Sequence, residues 1–60
     1  MISLIRFDAY ATGEIWINPA YVYAVTPTGD KLGRFTNIHM ANRDIWLVKG
    51  SLDKITDLLT

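Results

Sequence analysis

The 60-residue sequence lacks cysteine, contains one histidine, and carries no net charge because six basic side chains balance six acidic ones. Without cysteine the chain can form neither disulfides nor thiolate zinc sites, which often stabilise domains this small. General nucleic-acid binding requires clustered excess Lys and Arg to neutralise phosphates, and here the basic residues are dispersed. The composition therefore disfavours nucleic acid as a partner.

Long apolar runs are also missing. No stretch approaches the roughly 20 apolar residues that a bilayer-spanning helix needs. Arg6 and Asp8 interrupt the N-terminal apolar residues too early for a signal peptide. We expect a cytoplasmic protein without membrane contact, located in the host cytoplasm if a phage encodes it.

The chain is nevertheless half hydrophobic and includes two Trp, three Tyr and two Phe. A chain of this length holds one small hydrophobic core, so we expect a single domain over residues 1–60. The apolar content exceeds what one such core can hide. This surplus is the main feature that the sequence presents.

Runs of β-branched and aromatic residues predict a sheet of short strands. Asn18-Pro19 predicts a single 3₁₀ turn, and Asn42 is expected to adopt the left-handed conformation of a tight hairpin. A longer loop with one proline and two glycines is expected between the third and fourth strands. The predicted strands cover residues 2–7, 14–17, 22–26, 34–41 and 44–48.

The C-terminal residues predict a helix of about eight residues, roughly 12 Å long. Ser51 is a good N-cap, and Asp53 lies in the first turn, where the helix dipole favours an acid. The apolar stripe of this helix consists of Leu52, Ile55, Leu58 and Leu59. The predicted fold class is α+β, mainly β: a small antiparallel sheet of about five strands, with strong coiling or a barrel-like form as an alternative, and one short C-terminal helix.

The predicted strands do not alternate cleanly between apolar and polar residues, so both faces of the sheet are apolar. One short helix can cover only part of one face, and an exposed apolar face usually marks an interface. We therefore expect a homodimer or higher homo-oligomer. A sheet that folds its second face onto itself as a tiny barrel is the alternative. The expected oligomer interface consists of Trp16, Tyr21, Tyr23 and Trp46.

The sequence contains few side chains that could form a catalytic or metal site. His39 would share a strand face with Asn37, and a catalytic or metal site would also need a carboxylate, with Asp44 as the candidate. A lone strand histidine is more often a packing or surface residue. We expect no catalytic residues, no metal, no cofactor and no enclosed cleft, and the protein is not expected to be an enzyme.

The loop over residues 26–33 admits two interpretations. It can be a plain solvated connection, or it can contact a partner, because small scaffolds often carry recognition on loops. A dimer would display two copies of the loop symmetrically, which suits a protein that clamps a larger target. The candidate partner-binding residues are Thr28, Asp30, Lys31 and Arg34.

Four features of the chain resemble the small FlbD-like family: Met1-Ile2 with Leu4 and Arg6, the step Ile17-Asn18-Pro19, the strand at 22–25, and the ending at 48–55. Members are short bacterial proteins linked to flagella and swarming, and similar proteins occur in phages. The sequence differs from the family in its 26–33 loop and at Asn42-Arg43-Asp44, where the family tends to have an Asn-Gly turn. The resemblance implies no enzymatic activity.

These observations lead to one functional expectation with two alternatives. We expect a non-catalytic homo-oligomeric protein that docks on and modulates a larger protein, in its favoured version a phage-encoded inhibitor of a host anti-phage defence system. An FlbD-like regulator of flagellar or swarming motility is the first alternative. A nucleic-acid-binding module that uses Arg6, Arg34, Arg43 and the aromatic residues is the second.

Overall fold

The computed structural model describes residues 3–60 and contains one antiparallel five-stranded sheet and one short C-terminal helix. The predicted fold class is therefore confirmed. A 3₁₀ turn at Pro19–Tyr21 follows the second strand, and its cap is Asn18, whose side chain accepts a hydrogen bond from the Ala20 amide. The elements are β1 (Ile5–Ala9), β2 (Gly13–Ile17), β3 (Val22–Pro27), β4 (Phe35–Met40), β5 (Ile45–Lys49) and α1 (Leu52–Leu59).

The first strand differs most from its predicted bounds. It begins at Ile5 and continues to Ala9, where the sequence predicted a turn. Ala9 is buried and is aligned with Gly13 on one side and Val48 on the other, so a small side chain is accommodated inside the ladder. Of the predicted strand over residues 2–7, Ile2 lies outside the described residues.

The strand order is β2-β1-β5-β4-β3, and the sheet does not close into a barrel. No ladder joins β2 to β3 within residues 3–60. Only residues 18–21 connect these two edge strands. Four strand spacings of about 4.8 Å separate the outer strands of a flat five-stranded sheet, and the connection spans at most about 17 Å. The sheet therefore has to curve.

The hydrophobic core lies between the concave side of this curve, called the inner face, and α1. Ser51 caps the helix by accepting a hydrogen bond from the Lys54 amide at 3.3 Å, as predicted. Ile55 is the one fully buried side chain of the predicted helical stripe, whereas Leu58 remains 45% exposed. The buried core consists of Phe7, Ala9, Ile17, Ile38, Val48 and Ile55.

The turn between β4 and β5 corrects one prediction. Arg43, not Asn42, has the left-handed backbone conformation, with φ of 76°. The Asn42 side chain instead bonds Asp44, because its Oδ1 accepts from the Asp44 amide at 3.1 Å and its Nδ2 donates to Asp44 Oδ2 at 3.0 Å. These side-chain bonds place Asn42 before the left-handed position of the turn.

Thr36 is the one buried polar side chain described, and it links the sheet to the start of the helix. Its hydroxyl donates to the Gly50 carbonyl at 2.9 Å, directly before the N-cap Ser51. The Gly50 amide in turn donates to the Arg34 carbonyl at 2.7 Å. The passage from β5 into α1 is thus fixed by bonds to β4 and the residue before it.

Replacing Thr36 by Val should lower the free energy of unfolding by about 1–3 kcal/mol, because the nearly isosteric side chain leaves the partly buried Gly50 carbonyl without its hydroxyl donor. Thr36→Ser keeps that donor and loses one methyl group, so it serves as the control. Denaturant unfolding followed by Trp fluorescence measures both. If Thr36→Val were as stable as the wild type, the hydrogen bond would not hold the helix entry.

Replacing Arg43 by Gly should raise the free energy of unfolding by about 1 kcal/mol, because only glycine adopts the left-handed conformation without steric cost. Arg43→Ala retains a Cβ and should give no such gain. The same unfolding measurement compares the two variants. Equal stability of the two would contradict the assignment of the left-handed position to residue 43.

Candidate interaction surface

The face of the sheet opposite α1, called the outer face, has apolar side chains on its central strand. Ile38 and Trp46 are aligned across β4 and β5 and belong to the inner side, so Ile45 and Leu47 point outward. Ile45 is 58% exposed, and Leu47 is also exposed. A central strand would ordinarily carry polar residues on a solvated face.

Aromatic side chains surround these two residues. The Tyr10 ring meets the Phe35 ring edge-on, with centroids 5.6 Å apart, and the Tyr10 amide donates to the Leu47 carbonyl at 2.8 Å. Tyr23 lies edge-on to His39, with centroids 5.9 Å apart, and His39 is aligned with Ile45. We call Tyr10, Tyr23, Phe35, Ile45 and Leu47 the outer patch.

The strand β3 contains a bulge at Tyr23, which lies on the outer face next to the inward residue Val22. The register shifts between Val22, aligned with Met40, and Ala24, aligned with His39, so Tyr23 is the extra residue. Such an insertion re-aims side chains and increases the local twist. Tyr23 is 68% exposed.

The four predicted interface residues do not lie on one surface. Trp46 packs against the core on the inner face, so its assignment to the second face is wrong; alignment with the fully buried Ile38 places it there. Trp16 is on the outer face, because its partner Arg6 lies between the inward residues Ile5 and Phe7. Of the four, Tyr23 alone belongs to the outer patch.

Charged side chains separate Trp16 from the outer patch. Arg6 forms ion pairs with Asp8, at 3.0 Å, and with Glu14 across the β1–β2 hairpin. The hydrogen bond to Glu14 and the nearby charge of Asp8 raise the pKa of Arg6 above its usual value. The hairpin therefore has a charged strip between the outer patch and Trp16.

Tyr21 lies in the 3₁₀ turn. Together with Met40, Ala41 and Asn42 it lines an open cavity with a volume of about 480 Å³. The Ala41 amide donates to the Tyr21 carbonyl at 2.7 Å, so the 3₁₀ turn and the β4–β5 turn meet at one end of the sheet. A concavity of this size was not expected for so short a chain. It arises because two turns, rather than a packed interior, form its walls.

His39 is engaged with Thr26 rather than with a carboxylate. Its Nε2 lies 2.8 Å from the Thr26 hydroxyl, and the candidate partner Asp44 is bonded to Asn42 in the turn. Within residues 3–60 there is no group of three His, Asp or Glu side chains placed to hold a metal ion. The arrangement around His39 is that of a half-buried strand residue with a neutral hydrogen-bond partner.

The loop between β3 and β4 is ordered by three of its four candidate partner-binding residues. Thr28 accepts a hydrogen bond from the Asp30 amide at 3.3 Å. The Asp30 carboxylate accepts from the Leu32 amide at 3.3 Å and from the amide and Nε of Arg34, both at 3.1 Å. The Arg34 side chain lowers the pKa of Asp30, and the backbone bonds add to this effect. Lys31 is exposed, with no ion pair in the described part of the chain.

Comparison with known protein families, curated proteins and solved structures gives no significant match for this chain. No helix among residues 3–60 has the length and apolar character needed to cross a membrane. The surface itself therefore carries the functional argument.

Replacing Asp30 by Asn should loosen the loop, because Arg34 loses its ionic partner. In the wild type, the order that this carboxylate supports should be complete above its ordinary pKa of about 3.9. It should decline as the pH falls through the lowered pKa of the folded state. NMR shifts and exchange rates of the Leu32 and Arg34 amides, followed against pH, measure this directly. In Asp30→Asn these amides should exchange faster and show no such titration; a wild-type loop insensitive to acid would contradict the assigned role.

Proposed function

We propose that this chain is a non-catalytic binding protein that acts as a homo-oligomer and docks on a larger protein to modulate it. The single observation that carries this proposal is the outer patch, an apolar and aromatic surface on the central strand of the sheet. Exposed apolar patches of this kind mark protein interaction sites, and Tyr is enriched among residues that dominate binding energy. The location that goes with this proposal is the cytoplasm.

The charges of the outer face favour a protein over a nucleic acid as the partner. The charged strip beside the outer patch contains Arg6 but also Asp8 and Glu14, so its net charge is negative. Lys49 flanks the patch from β5 and is aligned with Phe35. A stacking platform for single strands combines aromatic side chains with a positive groove, and the described surface offers no basic excess beside its aromatics.

The favoured version is a phage-encoded inhibitor of a host defence system, and a regulator of motility similar to the FlbD-like family is the alternative. Both versions use protein docking and neither needs a catalytic group. The neighbouring genes distinguish them, because one version predicts phage genes and the other flagellar genes.

The outer patch can be tested by replacing Ile45 and Leu47 together by Thr. Threonine is β-branched, which strands favour, and it removes most of the apolar surface of both side chains. Immobilised wild-type protein and this double variant would be compared for the proteins they retain from a host lysate. We expect the wild type to retain at least one host protein at least tenfold more strongly than the double variant does.

The matched control is Leu58→Thr, which removes a leucine that is 45% exposed on α1, on the side of the sheet opposite the outer patch. It should retain the same protein as the wild type. Equal retention by the Ile45/Leu47 variant and the wild type would contradict a docking role for the patch. Circular dichroism of all three proteins establishes that each is folded.

A further inference from the structure

The two edge strands of the sheet differ in how well they are protected against pairing with another chain. The edge strand β3 contains a bulge at Tyr23 and ends on Pro27, which has no N–H to donate. Bulges, Pro and Lys are the usual means by which edge strands avoid intermolecular pairing. The other edge, β2, has five consecutive aligned pairs without a register shift and no Lys or Pro, and its one charged side chain, Glu14, is engaged in an ion pair with Arg6.

The hydrogen bonds of the neighbouring ladder determine which groups of β2 point outward. The Tyr10 amide donates to the Leu47 carbonyl at 2.8 Å, next to the aligned pair Ala9 and Val48. In an antiparallel ladder a bond in this position marks the aligned pair beside it as the non-hydrogen-bonded type. The N–H and C=O of Ala9 therefore point away from β5, toward β2.

Because this pattern alternates along the strand, the odd-numbered residues of β2 bond to β1. Glu14 and Trp16 consequently direct their N–H and C=O groups toward the free edge. Both residues are exposed, and no further backbone hydrogen bond reaches either of them within residues 3–60. The free edge thus presents two donors and two acceptors in the spacing of a strand.

Phe7, Ala9 and Ile17 anchor the β1–β2 hairpin in the core, but its backbone ladder to the rest of the sheet is short. A single aligned pair, Ala9 with Val48, joins β1 to β5, whereas β4 and β5 share five. Another strand against β2 would give the hairpin a second neighbour.

We propose that β2 pairs antiparallel with β2 of a second copy of this chain around a two-fold axis at Ile15. This inference rests on the proposed homo-oligomeric function and identifies the surface that forms the oligomer. In this register Glu14 of each copy is opposite Trp16 of the other, and the outward groups of both form four hydrogen bonds. Ile15 is opposite Ile15 of the second copy, on the inner side.

Charge favours this register over the one whose axis lies at Glu14. The outer face of the hairpin is acidic at Asp8 and Glu14, whereas Arg6 lies beside Trp16. The Ile15-centred pairing sets the acidic pair of each copy against Trp16 and Arg6 of the other. A shift of the axis to Glu14 would oppose two like charges, which destabilises a strand pair.

The chain has no cysteine, so a single introduced cysteine provides the test. In Ile15→Cys the two copies place their thiols at a non-hydrogen-bonded pair with Cα atoms about 4.5 Å apart, within disulfide range. Leu47→Cys is the matched control and reports pairing through the outer patch instead. Both variants would be oxidised mildly at micromolar concentration, with disulfide formation followed by gel electrophoresis and wild-type mass measured by sedimentation equilibrium.

We expect a dimeric wild type and a disulfide that forms at least tenfold faster in Ile15→Cys than in Leu47→Cys. A dimer in which Leu47→Cys reacts as fast or faster would overturn the β2 pairing and leave the proposed homo-oligomer standing. A monomeric wild type would overturn both. The chain is short enough for chemical synthesis, and N-methylation of the Trp16 amide should weaken the dimer at least tenfold without changing the circular dichroism; an unchanged dimer would also overturn the pairing.

Discussion

The structure depends on the packing of one short helix against one face of a five-stranded sheet. Ile55 is the side chain that joins the two layers, and the hydrogen bond from Thr36 to Gly50 fixes where the helix begins. With eight residues, α1 is about 12 Å long and cannot shield a second face. Everything on the outer face therefore meets solvent or another molecule.

The connectivity reinforces this constraint. Because β2 and β3 are joined by a short 3₁₀ turn yet lie at opposite edges, the sheet curves around the core while its edges stay open. The curved sheet has two kinds of unsatisfied surface: the apolar outer patch and the unprotected edge of β2. No further helix or strand among residues 3–60 covers either of them.

The sequence predicted the elements well and the faces poorly. Strong local signals such as Asn18-Pro19 and Ser51 placed the 3₁₀ turn and the helix correctly. On β5, both Trp46 and Leu47 are apolar, so alternation alone could not decide which side the helix covers. Which side is covered depends on contacts between residues distant in sequence. The sequence pattern alone therefore assigned Trp46 to the wrong face.

The same reason explains why Tyr10, Ile45 and Leu47 were missed as surface candidates. The apolar pattern of β5 already contained Ile45 and Leu47. Tyr10 could not be linked to them from the sequence, because only the pairing of β5 with β1 brings it beside Leu47. The bulge at Tyr23, which puts Val25 on the inner face together with Val22, has no sequence signature in Val22–Pro27 comparable to a glycine or an Asn-Gly turn. The loop residues Asp30 and Arg34, by contrast, are coupled to each other as well as exposed.

The central claim is that the surfaces left open by one helix and one five-stranded sheet serve assembly, so that the protein is a homo-oligomer. Sedimentation equilibrium of the wild-type protein at micromolar concentration tests it most directly. The account predicts a mass of at least twice the 6.8 kDa of one chain. A mass of 6.8 kDa across the concentration range would contradict it.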